Sequence, residues 1–307
     1  MIKPRALRPG DRIALISPAS SFSRDEFDKG AAEIRRLGYE PTYEDSVFER
    51  SMFTSGPAAV RTAAFVRAWS DPSIAALMAV RGGYGSMHLL PLLDGWRPQE
   101  TPKLFIGYSD NTSILSWLTC QREIAALHGP MVSGRLARGP EAYDEASFTR
   151  LIRGEGAGLR LQSPELAVLH EGDAEGPLYG GTLTQLTASL GTPWPFDPPR
   201  GCVLFLEDVN ERPFRIDRML TQLRQSGILS RASALVFGEM RACDEPGGAA
   251  TARSAIEAAL ADVGVPTLFG FPAGHTTGPN VTLPLGVRVR VDAGANPSMT
   301  IEESPVA

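Results

Sequence analysis

Three side chains in this sequence have the types and settings that acyl transfer requires: a serine, a carboxylate and a histidine, each standing where an apolar run gives way to a turn. Ser109 lies in Leu104–Thr112 (LFIGYSDNT), directly after an apolar run and ahead of a stretch, Asn111–Leu118, that reads as a helix. A serine at a strand-turn-helix junction lifts its hydroxyl clear of the sheet, and the first N–H groups of the helix point where an oxyanion would form. The G-x-S-x-G elbow is only half met, because Gly107 is present but Asn111 fills the last position. Ser109 or Asp110 capping the following helix is the competing reading.

A serine hydroxyl needs a base at neutral pH. Of the four histidines, His275 lies in Gly270–Pro279 (GFPAGHTTGP), a glycine- and proline-bounded loop after an apolar run, which suits a side chain aimed into a cleft. His128, beside Gly129-Pro130, is the alternative. A base of this kind is oriented by a carboxylate. Glu207 and Asp208 end the apolar run Cys202–Leu206 (CVLFL), with pairing to Arg212 or Arg215 as the other use for them. The order Ser, Glu, His is one that hydrolases use. Arg81–Ser86 (RGGYGS) follows another apolar run, and Gly82, Gly83 and Gly85 let the backbone approach a ligand and offer a second oxyanion donor. It has neither a G-K-[ST] ending nor G-x-G-x-x-G spacing, so both nucleotide signatures fail.

The elements that must hold these residues form an α/β pattern. Arg12–Pro18, Ile74–Val80 and Lys103–Tyr108 read as buried strands, with helices at Asp25–Leu37 and Ala58–Trp69, as expected of a mainly parallel sheet. Ligands in such sheets sit at the carboxyl ends of the strands. The pattern weakens across 136–176, apart from a short helix near Ala146–Ile152, which divides the chain into residues 1–135, a linker 136–176 and residues 177–307. In the last part we expect a helix over Gly180–Leu190, strands at Cys202–Leu206 and Ala234–Phe237, and helices at Ile216–Gln225 and Ala250–Val263. A strand at Thr267–Phe271 follows, then a pair of strands, Val281–Leu283 and Val287–Val291, turning at Pro284-Leu285-Gly286.

Composition narrows the rest. A chain of 307 residues with 43% hydrophobic and 21% charged content can pack a large core. Its net charge of -5, with signs interspersed, offers no stripe for a phosphate backbone, so no nucleic-acid partner is expected. No apolar run approaches a membrane span or a secretory core, so no membrane association is expected. The odd count of three cysteines shows no metal-ligand spacing, which points to reduced thiols, a cytoplasmic location, and no metal or other cofactor.

Six co-linear segments resemble the serine LD-carboxypeptidase family, which includes muramoyltetrapeptide carboxypeptidases and microcin-C self-immunity hydrolases. They are LRPGDRIALISPAS, MAVRGGYGSMHLLPLLD, FIGYSDNT, LYGGTLTQLTASLGTP, LFLEDVNERPFRIDRMLTQL and GFPAGH. The resemblance implies a Ser-Glu-His triad on Ser109, Glu207 and His275, and an oxyanion hole from the N–H groups of Asp110 and the Gly82-Gly83 turn. It also implies an α/β domain bearing the nucleophile, followed by a smaller α/β domain rich in β, and a homodimer. The implied reaction is removal of the terminal D-amino acid from murein tetrapeptides, with Arg81 and Tyr84 as candidates for holding the small peptide substrate. Two departures from the family pattern bear on substrate choice: Asn111 replaces an aliphatic residue, and Thr182 replaces the asparagine of Gly-Gly-Asn. Two other functions remain as alternatives: an immunity-type hydrolase of peptidyl-nucleotide or acyl-aspartate toxins, and a non-catalytic module binding peptidoglycan fragments.

Overall fold

The computed structural model describes residues 1–307 and places the strands in two sheets. The first sheet is built from β1 (Arg12–Ile16), β2 (Glu40–Thr42), β3 (Ile74–Ala79), β4 (Leu104–Gly107) and β5 (Ala126–His128), all paired in parallel. Their near-continuous apolar character follows from burial on both faces. Helix α1 (Arg24–Arg36) connects β1 to β2. Ser23 caps its first turn, with Asp25 and Glu26 there and Arg35 and Arg36 in the last turn, matching the helix dipole at each end. Its buried stripe is Phe27, Ala31 and Ile34. Next come α2 (Ala58–Ser70), α3 (Leu90–Leu93) and α4 (Thr112–Ser116), the last prolonged by a π-helical turn through Gln121.

Helix α5 (Glu145–Ile152) leads to the second sheet, which gathers β6 (Arg160–Leu161), β7 (Ala167–His170), β8 (Gly172–Thr182), β9 (Cys202–Glu207), β10 (Ala232–Gly238) and β11 (Thr267–Phe271). Strands β8 to β11 run parallel, and β7 closes one edge antiparallel to β11. Helices α6 (Leu183–Ser189), α7 (Pro213–Gln225) and α8 (Ala252–Ala259) supply apolar side chains to one of its faces. The chain then returns to the first sheet as β12 (Leu283–Leu285), antiparallel to β5, before β13 (Arg288–Ala293) and β14 (Ser298–Ile301) complete the second. The strand orders are β12-β5-β4-β3-β1-β2 and β6-β14-β13-β8-β9-β10-β11-β7. This is the α/β architecture expected, with a mainly parallel first sheet.

Two expectations fail. Gly180 and Gly181 are strand residues rather than the start of a helix, with φ of 141° and 143°. A Cβ at Gly180 would lie 1.8 Å from the Phe205 carbonyl oxygen, so glycine lets β8 press against β9, and α6 begins only at Leu183. The proposed hairpin around Pro284 is also absent. Pro284 and Leu285 belong to β12, an edge strand where a missing N–H is tolerated, and Gly286, at φ 90°, turns the chain into the other sheet.

Candidate active site

Ser109 follows β4 by two residues and adopts φ 63°, one of few non-glycine residues in the left-handed region. Non-glycine residues rarely hold this conformation. Here a 3-10 turn, Ser109–Asn111, feeding α4 fixes it. Asn111, buried in that turn, donates from Nδ2 to the Arg81 and Tyr108 carbonyls at 3.2 and 3.3 Å and contacts the Met131 sulfur at 3.2 Å. An aliphatic side chain in its place would lack these bonds. Asn111 therefore ties the Ser109 turn to the glycine turn after β3.

That glycine turn is built around Ser109. A Cβ on Gly82 would sit 2.8 Å from Ser109 Cβ and 3.0 Å from its Oγ, so only glycine fits. Gly82 is buried, yet its N–H and that of Gly83 donate to no group of the chain. Buried orphan N–H groups are rare. Asp110 holds the turn in place. Its Oδ2 accepts the Ser86 N–H at 2.7 Å, and its carbonyl accepts the Ser86 hydroxyl at 2.5 Å. Burial raises the Asp110 carboxyl, with these hydrogen bonds and Arg61 opposing.

Glu207 is the last residue of β9 and is almost wholly buried. One of its oxygens, Oε2, accepts the His275 backbone N–H at 2.9 Å and pairs with His275 Nδ1 at 2.8 Å. The other accepts the Thr182 hydroxyl. Burial alone would raise this carboxyl, but the His275 charge and hydrogen bonds outweigh it and hold Glu207 well below the usual carboxylate range. Burial likewise pulls the His275 imidazole down, and Glu207 reverses this, leaving it above its ordinary value. His275 Nε2 and the Ser109 hydroxyl each have no partner within the chain. Tyr108, the residue before Ser109, has its ring 5.2 Å from that of His275, edge to face. A second link runs from the Thr112 hydroxyl, which accepts the Thr182 N–H at 3.1 Å, through Thr182 to Glu207.

Residues 13–129 match the model of the LD-carboxypeptidase N-terminal domain, and residues 175–291 match that of the C-terminal domain. A putative carboxypeptidase of Synechocystis is 35% identical, over 96% of this chain and 95% of its own. The murein tetrapeptide carboxypeptidase of Pseudomonas aeruginosa is 32% identical over 86% and 88%. The chain belongs to the LD-carboxypeptidase family. It is a serine-type carboxypeptidase, and its fold superposes on the muramoyltetrapeptide carboxypeptidase of Oxalobacter formigenes with a TM-score of 0.85, at 29% identity, covering 96% of this chain and all of that one.

In this LD-carboxypeptidase the alternative base, His128, lies in the core. It is fully buried between Tyr108 and Phe205, with neither ring nitrogen hydrogen-bonded, and burial lowers its pKa to about 4. Asp208 turns away from Glu207 to accept the Thr184 N–H and hydroxyl at the start of α6, and burial, then the Glu207 charge, pushes it up to about 6. Arg215 pairs with Glu211 and Arg212 reaches the Asp244 carbonyl, so neither occupies Glu207. Arg81 is exposed and donates to the Ser21 carbonyl at 2.5 Å, while exposed Tyr84 meets Phe53 and His88 edge-on. No three His, Cys, Asp or Glu side chains converge as metal ligands, and no helix is long and apolar enough to cross a membrane.

Sequence reasoning missed the part played by Arg135. Buried behind the histidine loop, it donates to the carbonyls of Gly274, Thr276 and Gly278 and to the Thr276 hydroxyl, gripping the loop on both sides of His275. Nothing in the sequence separates it from a surface arginine. Thr182 was noted only as a departure from the family pattern, and its hydroxyl is what engages the second oxygen of Glu207.

Proposed function

We propose that the chain removes the terminal D-amino acid from murein tetrapeptides, with Ser109 as nucleophile, His275 as its base and Glu207 as the residue that orients and charges the histidine. The observation carrying this reading is the buried Glu207–His275 pair at the carboxyl ends of β9 and β11, tied through Thr182 and Thr112 to the turn after β4 that holds a left-handed serine beside the unpaired Gly82 N–H. His275 Nε2 takes the Ser109 proton as Oγ attacks the carbonyl of the bond between an L-configured centre, such as that of meso-diaminopimelate, and D-alanine. The N–H groups of Gly82, Gly83 and Asp110 hold the oxyanion. His275 then returns the proton to the amine nitrogen, the C–N bond breaks, and D-alanine leaves. Water, deprotonated by the same histidine, attacks the acyl-enzyme and restores Ser109.

The guanidinium nitrogens of Arg81 not committed to Ser21 are the proposed partners of the terminal carboxylate, with Tyr84 flanking the peptide. Murein recycling would put such an enzyme in the cytoplasm, and we infer a homodimer of chains divided into residues 1–135, a linker 136–176 and residues 177–307. Mass spectrometry after incubation with a tetrapeptide ending in D-alanine, its L-alanine epimer and an aminoacyl-nucleotide conjugate tests the reading. Loss of D-alanine alone is expected. Equal cleavage of both epimers makes the protein a general peptidase, preference for the conjugate makes it an immunity hydrolase, and no cleavage leaves a binding module.

A further inference from the structure

Thr182 stands at the N-cap of α6, where a threonine side chain ordinarily accepts the N–H of the second or third helical residue. Here it caps nothing. Asp208 takes over that task by accepting the Thr184 N–H at 2.9 Å, and the Thr182 hydroxyl is turned instead onto Glu207. Glu207 supplies the reason for the diversion. It is almost wholly buried, and its Oε2 receives two donors, the His275 backbone N–H and Nδ1, whereas Oε1 receives the Thr182 hydroxyl alone. An ionised carboxylate accepts hydrogen bonds and donates none, so a buried oxygen left without a donor is costly. The single proton of Thr182 meets that need.

The backbone of Thr182 is held from the other side. Its N–H donates to the Thr112 hydroxyl at 3.1 Å, and Thr112 opens α4 three residues after Ser109. Strand β8 comes this close to α4 because residue 181 is glycine, with φ 143° and a Cβ position only 2.6 Å from Thr112 Oγ1. Both threonines are buried, which shields the two bonds from competing water. A β-branched side chain has few χ1 choices, so fixing the Thr182 backbone fixes the direction of its hydroxyl. One line of hydrogen bonds therefore runs from the helix behind Ser109 through Thr112, Thr182 and Glu207 to His275. Arg135 grips the histidine loop by its carbonyl groups and touches neither oxygen of Glu207.

We infer that Thr182 is a positioning residue that sets the Glu207–His275 pair against the Ser109 turn, acting through Glu207 and not on the substrate. The inference rests on the triad reading of the site. Thr182→Val keeps the shape of the side chain and removes the hydroxyl. It should lower kcat for the tetrapeptide about ten- to hundredfold and leave KM unchanged. Thr182→Ser, which keeps the donor, should recover most of the loss. In a Glu207→Gln background the same valine substitution should cost little, because the group it acts through is already gone. With Asp208 capping α6, the urea midpoint of Thr182→Val should stay at that of wild type. A second readout needs no turnover. In nitrogen NMR of labelled histidine, the His275 imidazole shifts, assigned by their loss in His275→Ala, should move in Thr182→Val and hold in Thr182→Ser. If the valine variant does not fold, Thr182→Ala set against Thr182→Ser makes the same comparison. Wild-type kcat in Thr182→Val, a loss carried by KM, an equal loss in the Glu207→Gln background, or imidazole shifts that stay in place would each overturn the proposal. If wild type leaves the tetrapeptide uncut, the peptidase reading falls by itself, and the imidazole shifts alone decide whether Thr182 governs the pair.

Discussion

In the proposed triad, Ser109, His275 and Glu207 act only as a unit, because the serine needs a base and the base needs the carboxylate that keeps it oriented and charged. Ser109→Ala and His275→Ala should each lower kcat by about 10⁴–10⁶, and the double variant should be little worse than either. Full additivity, measured by active-site-titrated kinetics, would mean that the two residues act separately. The electrostatics give a pH profile. His275 must be neutral to accept a proton, and Glu207 raises its pKa, so kcat/KM should fall on the acid side with a midpoint above 6.5. Glu207→Gln removes the anion. Its limiting rate should drop by about 10³–10⁴, and its acid limb should move to lower pH than in wild type. An unmoved limb would assign it to a group other than His275.

Each proposed site residue lies at or just past the carboxyl end of a strand: Gly82 after β3, Ser109 after β4, Glu207 at the end of β9, His275 after β11. Turn geometry there decides function more than propensity does. Gly82→Ala would drive a methyl into Ser109 and should cost about 10²–10³ in kcat/KM. Gly38→Ala, at φ 91° with open space around it, should instead cost about 1 kcal/mol of stability and leave kinetics unchanged. Paired urea titrations and kinetics separate the two, and a catalytic loss from Gly38→Ala equal to that from Gly82→Ala would reduce both to general backbone strain. These turns were legible in the sequence because a strand end followed by glycine, or by serine and a helix, is a local signal. Gly180-Gly181 misled because the groups that demand glycine, the Phe205 carbonyl of β9 at Gly180 and the Thr112 side chain at Gly181, are neighbours only in space. Strand β12 was misplaced for the same reason, since its partner β5 is far away in sequence. Arg135 was illegible because its ligands are carbonyl groups of a distant loop, and backbone atoms leave no trace in residue identity.

The two sheets share one core. A single cluster of 61 buried residues joins Leu77, Phe105 and Leu127 of the first sheet to Val203, Phe205 and Val236 of the second, so the whole chain should unfold in one transition. His128 sits at that junction, between Tyr108 and Phe205. A histidine whose folded pKa is lowered to about 4 keeps the protein stable above the unfolded value of 6.5, and that stability is lost as pH falls from 6.5 through the folded value. His275 works in the opposite direction: its folded pKa is raised, so its contribution is full below 6.5 and fades as pH rises through the folded value. Glu207 stays ionised above pH 4.5, because its folded pKa is depressed and its contribution is lost only at lower pH. Between pH 7 and pH 4.5 the difference between wild type and His128→Leu therefore isolates the buried histidine. On going to pH 4.5, the urea unfolding free energy of wild type should fall relative to the leucine variant by about 2–3 kcal/mol. Fluorescence and circular dichroism should give coincident transitions at both pH values. Parallel pH dependence in the two proteins would show that His128 carries its proton within the fold, and separated transitions would show that the sheets are held together less tightly than their common core requires.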